Sequence, residues 1–141
     1  MKSILTIILC FSLVSLFSSN GFSQDAPIKR NTNFEAGDVL SSSTGTVTGD
    51  LRKSTAGDDE AIAVFTGSNS NLRSDVIRTS GVTSVNVSST ARITKGDLLT
   101  VVEDGKVGKL ENSGTSIGTA LSEPQNGMVK VRLNFEYVTV K

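Results

Sequence analysis

The stretch that decides the fold is "MVKVRLNFEYVTV", residues 128–140, close to the end of the chain. Its apolar and polar residues alternate one by one. The apolar positions are Val129, Val131, Leu133, Phe135 and Tyr137. Alternation of period two over this length is typical of a β-strand with one buried and one solvated face. The stretch therefore predicts a long strand with Phe135 and Tyr137 on its core side.

Further strands are predicted upstream. "SVNVSSTARI", residues 84–93, alternates in the same way, and its predicted inner positions are Val85, Val87, Ser89, Ala91 and Ile93. Shorter apolar runs at 61–65, 75–77 and 98–102 lie between clusters of Gly, Ser, Asn and Asp. After residue 23 no window has the 3.6-residue spacing of a helix. The sequence thus predicts an all-β fold, a small barrel or sandwich of short antiparallel strands.

A weak internal repeat underlies these strands. "GDVLSSSTGTVTGDLRK" begins at Gly37 and "GDLLTVVEDGKVGKLEN" begins at Gly96. The alignment pairs Leu51 with Leu110, and further on Ile62 in "AIAVFT" with Ile117 in "SIGTAL". We interpret the repeat as a duplicated half-domain in which Gly-Asp turns the chain into a strand. The alternative is chance, because such short motifs are common in β-proteins.

The N-terminal 24 residues have the layout of a secretory signal peptide. Lys2 precedes an apolar stretch at 4–17, which is followed by small and polar residues with a predicted cleavage point after Ser23. The predicted organisation is a signal peptide at 1–23, a polar leader at 24–33 and a single β domain at 34–141. We expect a secreted, periplasmic or cell-surface protein without membrane attachment after cleavage. The alternative is a retained N-terminal anchor.

Composition argues against several classes of function. The chain has no histidine, and its single cysteine, Cys10, lies in the signal segment. The 14 basic and 14 acidic residues are interspersed, so nucleic acid is not an expected partner. The Ser-Lys pairs Lys53/Ser54 and Lys109/Ser113 lack the motifs of Ser-Lys hydrolases. We therefore expect no enzyme activity and no cofactor.

The carboxylates give the remaining candidates for a site. Asp58, Asp59 and Glu60 are consecutive, and Asp104 precedes Gly105. Their spacing is not that of a calcium loop, so they are only weak metal candidates, and exposed turn residues are the favoured interpretation. Two facing carboxylates could also hydrolyse a glycosidic bond.

Two further sequence features bear on sugars. The chain has no tryptophan, and its aromatic residues after the signal segment are expected in the core rather than as sugar-stacking platforms; these are Phe34, Phe65, Phe135 and Tyr137. "NVS" at Asn86 fits a glycosylation acceptor but lies in a predicted strand.

The second half of the chain also resembles a known kind of module. "ARITKGDLLTVVEDGKVGKL", residues 91–110, and "SIGTALSEPQNGMVKVRL", residues 116–133, resemble a small β-domain of phage tail-fibre, tail-spike and capsid-decoration proteins that also occurs in bacterial surface proteins. The resemblance rests on I-x-x-G-D-L-L, I-G-x-A-L and a final strand of alternating valines. The first half, from "FEAGDVLSSSTGTV" at Phe34 to "DDEAIAVFTG", resembles the upstream part of such a domain, so the resemblance spans roughly residues 34–133. It implies a barrel-like module that acts by assembly, often as a trimer or a knob on a particle. It implies no catalytic residues.

These observations lead to one principal functional expectation. We expect an exported, non-enzymatic module that forms a homo-oligomer or decorates a larger extracellular or virion-like assembly. A signal peptide is unusual in phage structural proteins and favours a bacterial surface component. The alternatives are a glycan- or calcium-binding surface module that uses the acidic turns, and a small hydrolase that uses paired carboxylates.

Overall fold

A computed structural model describes residues 23–26, 33–47, 50–69 and 74–141 of the 141-residue chain. These residues form strands and no helix, which confirms the all-β prediction. None of them belongs to a helix that could cross a membrane. The ten strands are β1 (Ser23–Ala26), β2 (Val39–Ser42), β3 (Leu51–Lys53), β4 (Ala61–Asn69), β5 (Ser74–Arg78), β6 (Gly81–Asn86), β7 (Leu98–Glu103), β8 (Lys106–Lys109), β9 (Gly114–Ala120) and β10 (Met128–Val138).

The strands form two antiparallel sheets of five strands each. The first has the order β1-β5-β4-β2-β3 and the second has the order β6-β10-β9-β7-β8. Neither sheet closes on itself. Of the two predicted architectures, barrel and sandwich, the fold therefore fits the sandwich. β10 lies between β6 and β9. Its buried and exposed residues alternate strictly from Val129 to Leu133, as one buried and one solvated face require.

The two sheets are copies of one arrangement, which supports the predicted duplication. Each strand of the first sheet has its counterpart five strands later at the same place in the second sheet. Leu40 of β2 pairs with Lys53, and its counterpart Leu99 of β7 pairs with Lys109. We call β1–β5 the first repeat and β6–β10 the second repeat.

The pairing corrects one detail of the sequence alignment. Leu51 corresponds to Val107 and not to Leu110. Leu51 pairs with Ser42 and Val107 pairs with Val101, and Ser42 and Val101 occupy the same position in the two repeats. The cause is the length of the connection between the paired strands. It spans residues 43–50 in the first repeat and only the two turn residues 104–105 in the second.

The Gly-Asp turn has the same geometry in both repeats. Gly37 and Gly96 both have φ +95°, in the left-handed region that favours glycine. The carboxylate of Asp38 accepts a hydrogen bond from the backbone N–H of Glu35 at 2.8 Å, and that of Asp97 accepts one from Thr94 at 2.9 Å. An aspartate that caps its own turn in this way fixes the direction in which the following strand begins.

The core follows the repeat as well. One buried cluster belongs to the first repeat and consists of Phe34, Leu40, Leu51, Ala63, Phe65 and Ile77. The larger cluster contains the corresponding residues of the second repeat, among them Ile93, Leu99 and Val107. It also includes Val39 and Val64 of the first repeat. The second core is therefore shared between the two sheets and holds them together.

Three expectations from the sequence are corrected or limited. The predicted strand 84–93 ends at Asn86, because the chain turns at 88–91, where Ala91 N–H donates to the Ser88 carbonyl. Tyr137 is not in the core but 64% exposed. A bulge between Leu133 and Glu136 inserts an extra residue into β10 and reverses the alternation beyond it.

β1 spans the predicted cleavage point, and the signal peptide itself lies outside the described residues.

Candidate functional site

The acidic triplet lies in the loop between β3 and β4 and is organised by Arg52. The guanidinium of Arg52 forms ion pairs with Asp58 and, at 2.8 Å, with Glu60. Burial raises the pKa of the Asp58 carboxyl, but hydrogen bonds from Arg52, the Glu60 N–H and Ser41 outweigh it, and the pKa lies below its ordinary value. The hydrogen bond to Asp58 in turn raises the pKa of Arg52. A cation at this place would have to displace Arg52.

The other weak metal candidates lie apart from this pair. Asp59 points to the second repeat and accepts a hydrogen bond from the Thr115 hydroxyl at 2.8 Å. Asp104 is exposed in the turn between β7 and β8. Within the described ranges, no three acidic, histidine or cysteine side chains converge in a way that could hold a metal ion. The structure therefore does not gather the four candidates into one site.

A buried ionic network lies where the two repeats meet. Asp38 is 1% exposed, and its carboxylate is 3.0 Å from Lys53 Nζ and accepts a hydrogen bond from Asn86 Nδ2 at 3.1 Å. The hydrogen bond to Asp38 raises the pKa of Lys53. Asn86 Nδ2 also donates to the Ala36 carbonyl. The amide of Asn86, the asparagine of the "NVS" sequence, thus helps to hold the first repeat to β6.

The two Ser-Lys pairs have structural partners. Ser54 is fully buried and shares a hydrogen bond with Ser41 Oγ, while the neighbouring Lys53 is bound to Asp38. Ser113 Oγ accepts a hydrogen bond from the backbone N–H of Val140 at 2.8 Å and so ties down the C-terminal end of the chain. Neither serine contacts a lysine amine that could serve as its base.

A groove between the repeats lies beside these residues. The inter-repeat groove has a volume of about 470 Å³ and joins the β3–β4 loop to the surface of β7, β8 and β9. The side chains that matter for its chemistry are those of Asp59, Lys109, Glu111, Asn112, Thr115 and Tyr137.

The register of the second sheet brings the aromatic ring to this groove. Tyr137 pairs directly with Thr115 across β10 and β9, and residues opposite each other in an antiparallel pair project from the same face. The Thr115 hydroxyl donates to Asp59. The Tyr137 ring, the Thr115 hydroxyl and the Asp59 carboxylate therefore lie on one surface. The sequence did not reveal this group because the bulge that exposes Tyr137 has no sequence signal of its own.

A second candidate surface is the outer edge of β6. β10 is its only strand neighbour within the described sheets. The N–H of Asn86 points away from β10 and donates to the Gly37 carbonyl. Backbone N–H groups alternate in direction along a strand, so those of Val82 and Ser84 point outward as well. Val82 is 46% exposed. This edge therefore combines outward-facing backbone groups with an apolar side chain.

Comparison with models of protein families gives no match for the chain, and comparison with curated proteins gives none either. The class of protein is defined by the fold alone, as an all-β sandwich built from two repeats of five strands.

Proposed function

We propose that the protein is an exported, non-enzymatic structural module that associates with further copies of itself through the outer edge of β6. The observation that carries the proposal is the row of outward N–H groups at Val82 and Ser84. Soluble β-proteins usually protect such edges, because unpaired backbone groups readily accept a strand from another chain.

Charge and composition favour self-association at this edge. The exposed positions of β6, Val82 and Ser84, are themselves uncharged. One charged group reaches this edge, since Arg78 Nη1 donates to the Val82 carbonyl at 3.4 Å. Long edge strands in monomeric proteins are commonly protected by lysine or proline, and β6 has neither. The resemblance of residues 34–133 to particle-decoration modules points in the same direction.

Export is supported by the layout of the first 24 residues. Mass spectrometry of the protein from the extracellular or periplasmic fraction of a bacterial host is expected to give an N-terminus at Gln24. A chain that stays in the cytoplasm with Met1 in place would contradict this part of the proposal.

Light scattering on the purified mature chain tests the assembly. We expect an oligomer for the native protein and for the Ser84→Ala variant, which leaves the backbone unchanged. The Ser84→Pro variant removes an outward N–H but no bond to β10, so we expect it to fold and to be monomeric. A strictly monomeric native protein, or an oligomer that survives Ser84→Pro, would contradict the assigned edge.

A further inference from the structure

Tyr137 and the groove beside it have no role in the proposed assembly through β6. Tyr137 is 64% exposed, although the side chain of tyrosine carries a large apolar surface that favours burial. It lies on β10, an interior strand of the second sheet, next to a groove of about 470 Å³. An exposed aromatic side chain beside a polar groove is a common feature of ligand sites.

The polar groups of the groove are held in place before any ligand arrives. Thr115 Oγ1 donates to Asp59 Oδ1 at 2.8 Å and so fixes the carboxylate that reaches over from the first repeat. The backbone carbonyl of Thr115 accepts a hydrogen bond from Thr100 Oγ1 at 2.8 Å, which steadies the strand beneath. A preorganised site loses less conformational entropy when it binds.

The charges of the groove select against an anionic ligand. Asp59 and Glu111 both contribute exposed carboxylates. Among the described residues that line the groove, Lys109 is the one cation, and its Nζ lies 3.6 Å from the carboxylate of Asp97. A ligand for this surface has to supply an apolar face for the ring and several uncharged hydroxyls for the carboxylates and the amide of Asn112.

We propose that the inter-repeat groove binds a neutral saccharide. The C–H face of a sugar ring packs on Tyr137, its hydroxyls donate to Asp59 and Glu111, and Asn112 supplies both a donor and an acceptor. Thr115 acts as a positioning residue for Asp59. The aromatic residues were predicted to lie in the core, which was a reason against sugar binding. The exposure of Tyr137 removes that reason.

The chain provides its own reporter for this site. Tyr137 is the single tyrosine, and there is no tryptophan, so the ultraviolet-excited emission of the protein comes from the groove. The emission would be titrated with neutral oligosaccharides, namely the hexamers of β-1,4-glucose, β-1,3-glucose, β-1,4-mannose and N-acetylglucosamine, and with oligogalacturonate as an anionic comparison. We expect a saturable change with at least one neutral hexamer and none with oligogalacturonate.

Variants then test the assignment by titration calorimetry. We expect Tyr137→Ala to weaken binding about tenfold or more, because truncation of a stacked aromatic residue removes a main contact. Asp59→Asn removes an acceptor and is expected to weaken binding severalfold. Gln125→Ala, at an exposed position that does not line the groove, should leave binding unchanged. Since Tyr137 is mostly exposed, the first variant is expected to keep the native circular dichroism spectrum.

Several results would overturn the proposal. They are an unchanged emission with every neutral hexamer at millimolar concentration, a preference for oligogalacturonate, and full affinity in both Tyr137→Ala and Asp59→Asn. A Tyr137 emission per molecule that changes with protein concentration but not with added saccharide would likewise reject it. That result would assign the groove to a contact between copies.

Discussion

At the scale of single residues, Asp38 and Asp97 occupy the same turn of the two repeats but differ in their surroundings. Both cap the turn through one carboxylate oxygen. Asp38 is buried against Lys53, whose side chain is only 20% exposed. Asp97 faces Lys109, whose side chain is 49% exposed, at the longer distance of 3.6 Å. The turn is thus a property of the local sequence, and the buried ion pair is a property of the contact between repeats.

This difference gives a matched pair of variants. Both carboxylate oxygens of Asp38 accept hydrogen bonds, so in Asp38→Asn the amide nitrogen must face a hydrogen-bond donor. In addition, Lys53 loses its counter-charge. We expect a loss of about 2–4 kcal/mol in the free energy of unfolding. In Asp97→Asn the side-chain oxygen can keep the hydrogen bonds from Thr94, and only the contact with the half-exposed Lys109 is lost, so we expect a loss of less than about 1 kcal/mol. Urea unfolding of both variants checks this, and equal losses would contradict it.

At the scale of elements, most strands follow from sequence patterns, but their ends and their regularity do not. The predicted runs at 61–65, 75–77 and 98–102 lie in β4, β5 and β7. The strand at 84–93 is predicted too long because Ser88 leaves the alternation to bond the Val107 carbonyl, a contact 19 residues away in the chain. The bulge in β10 arises from pairing with β9, so alternation within β10 cannot predict it.

Gly118 shows why β9 and β10 can approach each other beside that bulge. It has φ +144°, and a Cβ atom there would lie 2.0 Å from the carbonyl oxygen of Arg132. We expect Gly118→Ala to lower the free energy of unfolding by more than about 3 kcal/mol, since backbone of the central strands would have to move. Thermal unfolding measured by circular dichroism would show the loss.

Gly114 on the same strand is the control. A Cβ atom there would meet Leu110 Cδ1 at 3.6 Å, an ordinary contact, so Gly114→Ala is expected to change the free energy of unfolding by less than about 1 kcal/mol. Similar behaviour of the two alanine variants would show that the close approach at Gly118 does not restrict the strand.

At the scale of the whole molecule, the two repeats are held together by a shared core and by backbone hydrogen bonds. Val39 N–H donates to the Gly105 carbonyl at 2.9 Å, and Gly105 N–H donates to the Ser54 carbonyl at 2.8 Å. Val64 is fully buried in the cluster that is mainly formed by the second repeat. We therefore expect the repeats to unfold together, as one cooperative unit.

A variant in the first repeat and a reporter in the second test this coupling. Val64→Ala is expected to cost about 2 kcal/mol through the cavity that it leaves. Tyr137 emission, which reports the second repeat, and far-UV circular dichroism, which reports both, should shift to the same new midpoint. Gln125→Ala, at an exposed position in the loop between β9 and β10, should shift neither signal. A Tyr137 midpoint that stays in place while the dichroism shifts would mean that the repeats unfold separately.

The sequence by itself determined the all-β class, most of the strands and the repeated Gly-Asp turn. These depend on alternation and on contacts within a few residues, which the order of amino acids specifies directly. Only the tertiary structure decided that Asp58 and Glu60 are bound to Arg52, that Asp38 is buried, and that Tyr137 is exposed beside Asp59. Each of these depends on the register between strands distant in sequence, and a shift of one residue turns a side chain to the other face.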